Sequence, residues 1–144
     1  MTTYRLDELA TVEISGVDKK TVDGETPVRL CNFVDVYHNW AITKQSYSTF
    51  MSATAKQAEI DRFAIKRGQV AITKDSETRD DIGVPTYMAD SFDDVVLGYH
   101  CALITPNPVR LSGAYLNALL HTNYAKKYFA ANASGSGQRY TLSV

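Results

Sequence analysis

The sequence predicts an α+β fold, on three observations. Short β-prone runs bounded by turn residues recur along the chain, as at positions 27–31 and 83–89. One late stretch, following Ser112, repeats its apolar residues at helical spacing. A closing segment, 138–144, alternates apolar with polar residues as a strand does. Several strands with one long helix near the end lack the regular strand and helix alternation of a doubly wound sheet.

Taken in order, residues 4–10 place Leu6 and Leu9 at helical spacing and read as a short entry helix ending before Ser15 and Gly16. Residues 17–24 mix charge with turn formers and read as an exposed loop. Positions 27–31 form a compact strand, while 32–37 fit either a helical turn or extended chain. From Thr43 to Ala58 the chain is polar and poorly periodic, with Phe50 and Met51 as apolar anchors, which predicts a long connection.

Residues 63–73 set two alternating apolar runs around a turn where Gly68 can supply a positive φ, giving strand, turn and strand. A charged surface loop, 74–81, follows. Residues 83–89 and 95–104 read as further strands, the second stopped by Pro106 and Pro108. Ser112 suits the N-cap of a helix carried by Leu116, Leu119, Leu120, Tyr124 and Tyr128 through Ala131, where Asn132 and the following glycines end it.

A chain of 144 residues is the size of one domain and can bury roughly two-thirds of the surface its unfolded form exposes. Its 44% apolar and 22% charged residues are ordinary globular values. No run approaches the roughly 20 apolar residues of a spanning helix, and the first residues lack the apolar core of a secretory signal. A cytoplasmic location is therefore expected. Cys31 and Cys101, each inside an apolar stretch, read as two buried thiols.

Charge is segregated along the chain. No Asp or Glu occurs from Val95 to Val144, where Arg110, Lys126, Lys127 and Arg139 stand, whereas the segment before it holds 11 Lys and Arg against 16 Asp and Glu. The basic part closes on the polar, Gly-rich run from Asn132 to Tyr140, and one-sided positive charge beside hydrogen-bonding groups suits a polyanion.

Enzymatic signatures are missing from the pattern. His38, His100 and His121 fall in different segments without the spacing of a metal cluster. Gly135-Ser-Gly137 is too short for a phosphate-cradling loop and precedes a strand. Asp75, Glu77, Asp80 and Asp81 lack the order of a calcium loop, and Asn107-Pro108 lacks the second proline of an amino-methyltransferase motif. No catalytic residue, metal ligand or cofactor is assigned.

The order of the remaining pieces resembles one target recognition domain of a type I restriction-modification specificity subunit. The matching residues are Tyr4-Arg-Leu-Asp-Glu-Leu-Ala10, Pro27-Val-Arg29, Lys66-Arg-Gly-Gln-Val-Ala-Ile-Thr73, the strand from Val95 to Pro108, Tyr115-Leu116, and Gly135-Ser-Gly-Gln-Arg-Tyr-Thr-Leu142. The resemblance covers nearly the whole chain. Each motif is loose, and their order carries the likeness. Gln69 stands where that family often has Asp, and the proline-rich strand, coiled-coil helix and second recognition domain that follow in the family have no counterpart before Val144.

What the resemblance implies is one target-recognition-domain fold over 1–144, its strands forming a curved mixed sheet with a long C-terminal helix and then a strand. It implies a non-catalytic DNA-binding role in which this half reads one part of a bipartite double-stranded target. The implied partners are a modification subunit, which holds S-adenosylmethionine and methylates adenine, a restriction subunit, and a second copy in a homodimer. Base edges specify and phosphates position, so Gln138 suits adenine and Arg139 guanine, while Ser134, Gly135 and Ser136 approach the backbone. Lys74, Ser76 and Arg79 form a second expected contact loop, and Lys19 with Lys20 a third. The alternative is a protein-interaction module that binds the modification subunit or itself without touching DNA.

Overall fold

The computed structural model describes residues 5–76, 78, 81–132, 134–135 and 140–141, the last four as backbone alone. The elements are α1 Leu6–Leu9, β1 Ala10–Ile14, β2 Thr26–Cys31, α2 Phe33–His38, β3 Ala41–Ile42, a 3-10 helix Lys44–Thr49, β4 Met51–Ala55, α3 Gln57–Phe63, β5 Val70–Thr73 and β6 Asp75–Ser76. They continue with β7 Pro85–Met88, β8 Val95–Leu97, β9 Cys101–Pro106, α4 Gly113–Leu120, α5 Asn123–Asn132, β10 Ser134–Gly135 and β11 Tyr140–Thr141. The class is α+β, as the sequence predicts.

Among the described residues the strands form three sheets where one curved sheet is expected. The largest runs β1-β9-β5-β7-β3, a second β4-β2-β8, and a third β10-β11-β6. The first two are mixed, because β3 pairs β7 and β2 pairs β8 in parallel while their other pairings are antiparallel.

The large sheet is covered on both faces. Val70, Ile72, Ala102 and Ile104 turn to one side and pack with Leu116, Leu120 and Ala125 of α4 and α5. Their neighbours Ala71, Cys101 and Leu103 turn to the other, meeting Leu30, Val36, Met88 and Leu97. Alternate strand residues point to opposite faces, so a strand buried on both reads as a continuous apolar run. Every residue of β5 is buried.

Local sequence explains several ends. Asp35, at the third position of α2, accepts a hydrogen bond from the Asn32 amide at 2.9 Å, so the open choice over 32–37 resolves to helix. Ser112 caps α4 as expected, its hydroxyl accepting from the Tyr115 amide at 3.3 Å. Gly68 adopts φ +96° in the turn before β5.

Other expectations are corrected. The predicted connection 43–58 holds the 3-10 helix, β4 and the start of α3, because β4 pairs residue for residue with β2. Phe50 is buried there, but Met51 is exposed. The predicted hairpin over 63–73 is the end of α3, a bridge from Ala64 to Val96, and β5, which pairs β7 and β9. The strand expected at 95–104 is two strands in different sheets, divided by a turn at Gly98, Tyr99 and His100.

Three further expectations are corrected. The long helix is broken into α4 and α5, because Thr122 bonds back to the Leu119 carbonyl at 2.7 Å and its hydroxyl accepts from the Ala125 amide, ending one helix and capping the next. Within the predicted surface loop 74–81, Asp75 and Ser76 are buried as strand β6. Ala10–Ile14, read as part of the helix and its exit, is the edge strand β1. Both cysteines are buried and free, as read.

Candidate nucleic-acid interface

Parts of two expected contact segments, at Asp75–Ser76 and Ser134–Gly135, share one sheet next to the β5–β9 pair. There the turn at Gly98 to His100 is hung between two others: the Gly98 amide donates to the Cys31 carbonyl and the Tyr99 amide to the Val17 carbonyl, each at 2.8 Å. His100 adopts φ +72°, a left-handed conformation that side chains other than glycine's rarely take. Its carbonyl accepts from the Lys74 amide at 2.8 Å, and its ring Nδ1 lies 2.8 Å from Asp75 Oδ2.

Lys74 Nζ donates to the other Asp75 oxygen at 2.9 Å. The Lys74 and Asp75 side chains are only 13% and 9% exposed, so this ion pair is enclosed. Ser76 is also buried, its hydroxyl accepting from the Thr78 amide at 3.4 Å. The loop beyond is pinned at its base by Thr73, whose hydroxyl donates to the Asp81 carbonyl at 2.6 Å and accepts from the Val84 amide at 3.0 Å. Tyr37 holds the same loop from α2 through a 2.8 Å hydrogen bond to Asp81.

Strand β6 then joins the two principal loops. Asp75 pairs with Thr141 and Ser76 with Tyr140. On the far side of β11, Ser134 pairs with Thr141 and Gly135 with Tyr140. The backbone at Ser134 and Gly135 is thereby brought into the same sheet as Asp75 and Ser76, with β11 between them. Ser136, Gln138, Arg139 and Arg79 lie outside the described residues, as do the side chains of Ser134 and Thr141.

The third loop is less closely joined. Lys19 is exposed; Lys20 is part-buried, 3.9 Å from Glu25, and its carbonyl accepts from the Thr54 amide at 2.9 Å, which ties it toward β4. Tyr99 and His100, which the sequence places on a strand where they could stack or donate beside the contact loops, stand instead in the turn, Tyr99 48% exposed and in ring contact with His100 at 3.8 Å. Asp75 is read in the sequence only as one of four acidic residues without the order of a calcium loop, because a carboxylate in a charged run looks solvated until its partners are known. Among the described residues no three His, Cys, Asp or Glu side chains are grouped to hold a metal ion.

No family model and no curated protein matches the chain by sequence. Solved structures do match it. The chain aligns over 96% of its length with the HsdS subunit from Thermoanaerobacter tengcongensis, at TM-score 0.58 and 14% identity. It aligns over 99% with the type I restriction-modification system S subunit from M. genitalium, at TM-score 0.53 and 13% identity. The fold is that of type I S subunits. The aligned part is 32% and 31% of those two chains, so the chain spans about a third of an S subunit's length. This S-subunit fold agrees with the order of motifs read from the sequence. No helix among the described residues is long and apolar enough to cross a membrane.

Proposed function

We propose that the chain is a target recognition domain of the S-subunit kind, which reads one half of a bipartite DNA target and directs a methyltransferase and endonuclease complex to it. The observation that supports this reading is the sheet β10-β11-β6, in which the backbone of Ser134–Gly135 and of Asp75–Ser76 lies on either side of Tyr140–Thr141, with Asp75 held by His100 next to the exposed Tyr99. Such a clustering gives one surface from which several loops can reach a groove and its flanking phosphates together. In this reading residues 1–144 form one recognition domain, catalysis and S-adenosylmethionine belong to the modification subunit, and cleavage belongs to the restriction subunit. The complex works in the cytoplasm, and a second copy supplies the other half-site in a homodimer.

The enclosure of Lys74 by Asp75 favours a second reading, a protein-interaction module without DNA contact, since it removes one cation from the expected interface. Selection from a random duplex pool, with the chain mixed with a modification subunit, separates the two. Enrichment of a defined half-site supports recognition. A pool that remains random while the proteins co-purify sinks it in favour of the interaction module.

A further inference from the structure

A groove of about 540 Å³ runs between α1 and the α4–α5 pair, on a surface used by none of the loops described above. Leu6, Leu119, Leu120, Tyr124, Tyr128 and Phe129 line it. Tyr124 is 83% exposed, Tyr128 58% and Leu119 46%. Tyr124 and Tyr128 stand one helical turn apart, so both rings lie along the same side of α5, while Ala125 and Phe129 turn toward the core. The helix is seated closely: a Cβ on Gly83 would stand 2.3 Å from the Phe129 ring. The groove is thus a formed surface and not slack beneath a loose helix. Contiguous exposed apolar side chains of this kind mark interaction sites.

We propose that this groove docks an amphipathic helix of a partner protein, with an acidic flank lying along α5. Charge selects that occupant. Lys126 and Lys127 are exposed on α5 beside the groove-lining tyrosines, α4 carries no charged residue, and neither helix holds an Asp or Glu, so the charge on this wall is that of the two α5 lysines. On the opposite wall Asp7 is paired with Arg5 at 2.9 Å and Glu8 is exposed, which orients the acidic flank toward α5. A second copy packed face to face would set Lys126 and Lys127 against themselves. A nucleic acid would answer the charge and leave the aliphatic floor unused. A helix with leucines at i, i+3, i+4 and i+7 and glutamates beside them answers both, as helix-in-groove recognition requires. The inference stands independently of the DNA reading.

The test uses the full chain and two labelled synthetic amphipathic helices, one of leucine and glutamate and its twin with lysine for glutamate, followed by fluorescence anisotropy. The glutamate helix is expected to bind and the lysine helix not. Tyr124→Ala with Tyr128→Ala should weaken binding at least ~tenfold, as loss of central aromatic anchors does. Lys126→Glu with Lys127→Glu, at exposed positions that leave the core intact, should reverse the preference between the two peptides. Equal binding of both peptides, binding of neither, or indifference to the charge reversal overturns the proposal. So does a dimer in sedimentation that the tyrosine variant dissociates, which assigns the groove to a second copy, or loss of duplex binding in that variant, which assigns it to nucleic acid.

Discussion

Gly113 stands so close to Gly68 that a Cβ on Gly113 would come within 2.0 Å of the Gly68 carbonyl oxygen. This contact locks the first turn of α4 onto the turn that starts β5, and Gly68 itself needs its φ of +96° to present that carbonyl. Gly113→Ala should therefore push α4 outward and cost roughly 1–3 kcal/mol, the usual range for overpacking. Gly16→Ala, where nothing lies within 4 Å, is the matched control and should leave stability within about 1 kcal/mol of the parent. Urea denaturation of both variants checks the contrast.

Lys74 and His100 are both partners of the Asp75 carboxylate, which is in an enclosed position. Asp75→Ala strands the Lys74 ammonium, and breaking so buried a pair costs roughly 3 kcal/mol. Lys74→Ala leaves Asp75 its contact with His100 and should cost less. Equal loss in the two variants, read from their melting temperatures, would count against this ordering.

Burial holds the Cys101 thiol at a pKa of about 12 against an ordinary 9.0, with Asp75 and Asp35 adding to the shift, and burial raises Cys31 as well. Both thiols should resist alkylation at neutral pH until the chain unfolds. The sign of the pH effect follows from the proton count. Below pH 9 both states keep the thiol proton, and between 9 and 12 the unfolded state releases it first. Stability should thus fall as pH rises through that window, at up to about 1.4 kcal/mol per pH unit for Cys101. Denaturation of a Cys101→Ala variant across the same pH range should show a shallower fall, the remainder being that of Cys31.

For the proposed DNA reading, the three basic positions should behave differently. Arg139→Ala should cost roughly 1–3 kcal/mol on the preferred duplex and relax selection at one base pair. Lys19→Ala should weaken all duplexes alike and flatten the salt dependence by roughly 0.9 in slope, the effect of one phosphate contact. Lys74→Ala should leave the slope unchanged, because its charge is already answered by Asp75. Titrations at several salt concentrations distinguish these outcomes, and a reduced slope for Lys74→Ala would return that residue to the interface.

The sequence by itself determined the α+β class, the strands at β2 and β7, the Ser112 cap and the turn at Gly68, along with an ordered set of motifs whose resemblance agrees with the S-subunit fold. Each of these rests on signals contained in a few neighbouring residues: alternation, a capping hydroxyl, a glycine free to take positive φ. Only the tertiary structure decided the rest. Asp75 and Ser76 look like solvated loop until β11, far along the chain, pairs with them and Lys74 and His100 answer the charge. Ser52, Ala53 and Thr54, in a polar and poorly periodic stretch, become a strand because β2 lies alongside in register. Residues 95–104 carry one unbroken apolar signal, and the break at His100 appears only because the two strands join different sheets. Pairing between distant segments determines which backbone groups are satisfied and which side chains lose water, and no local pattern records the partner that pairing brings.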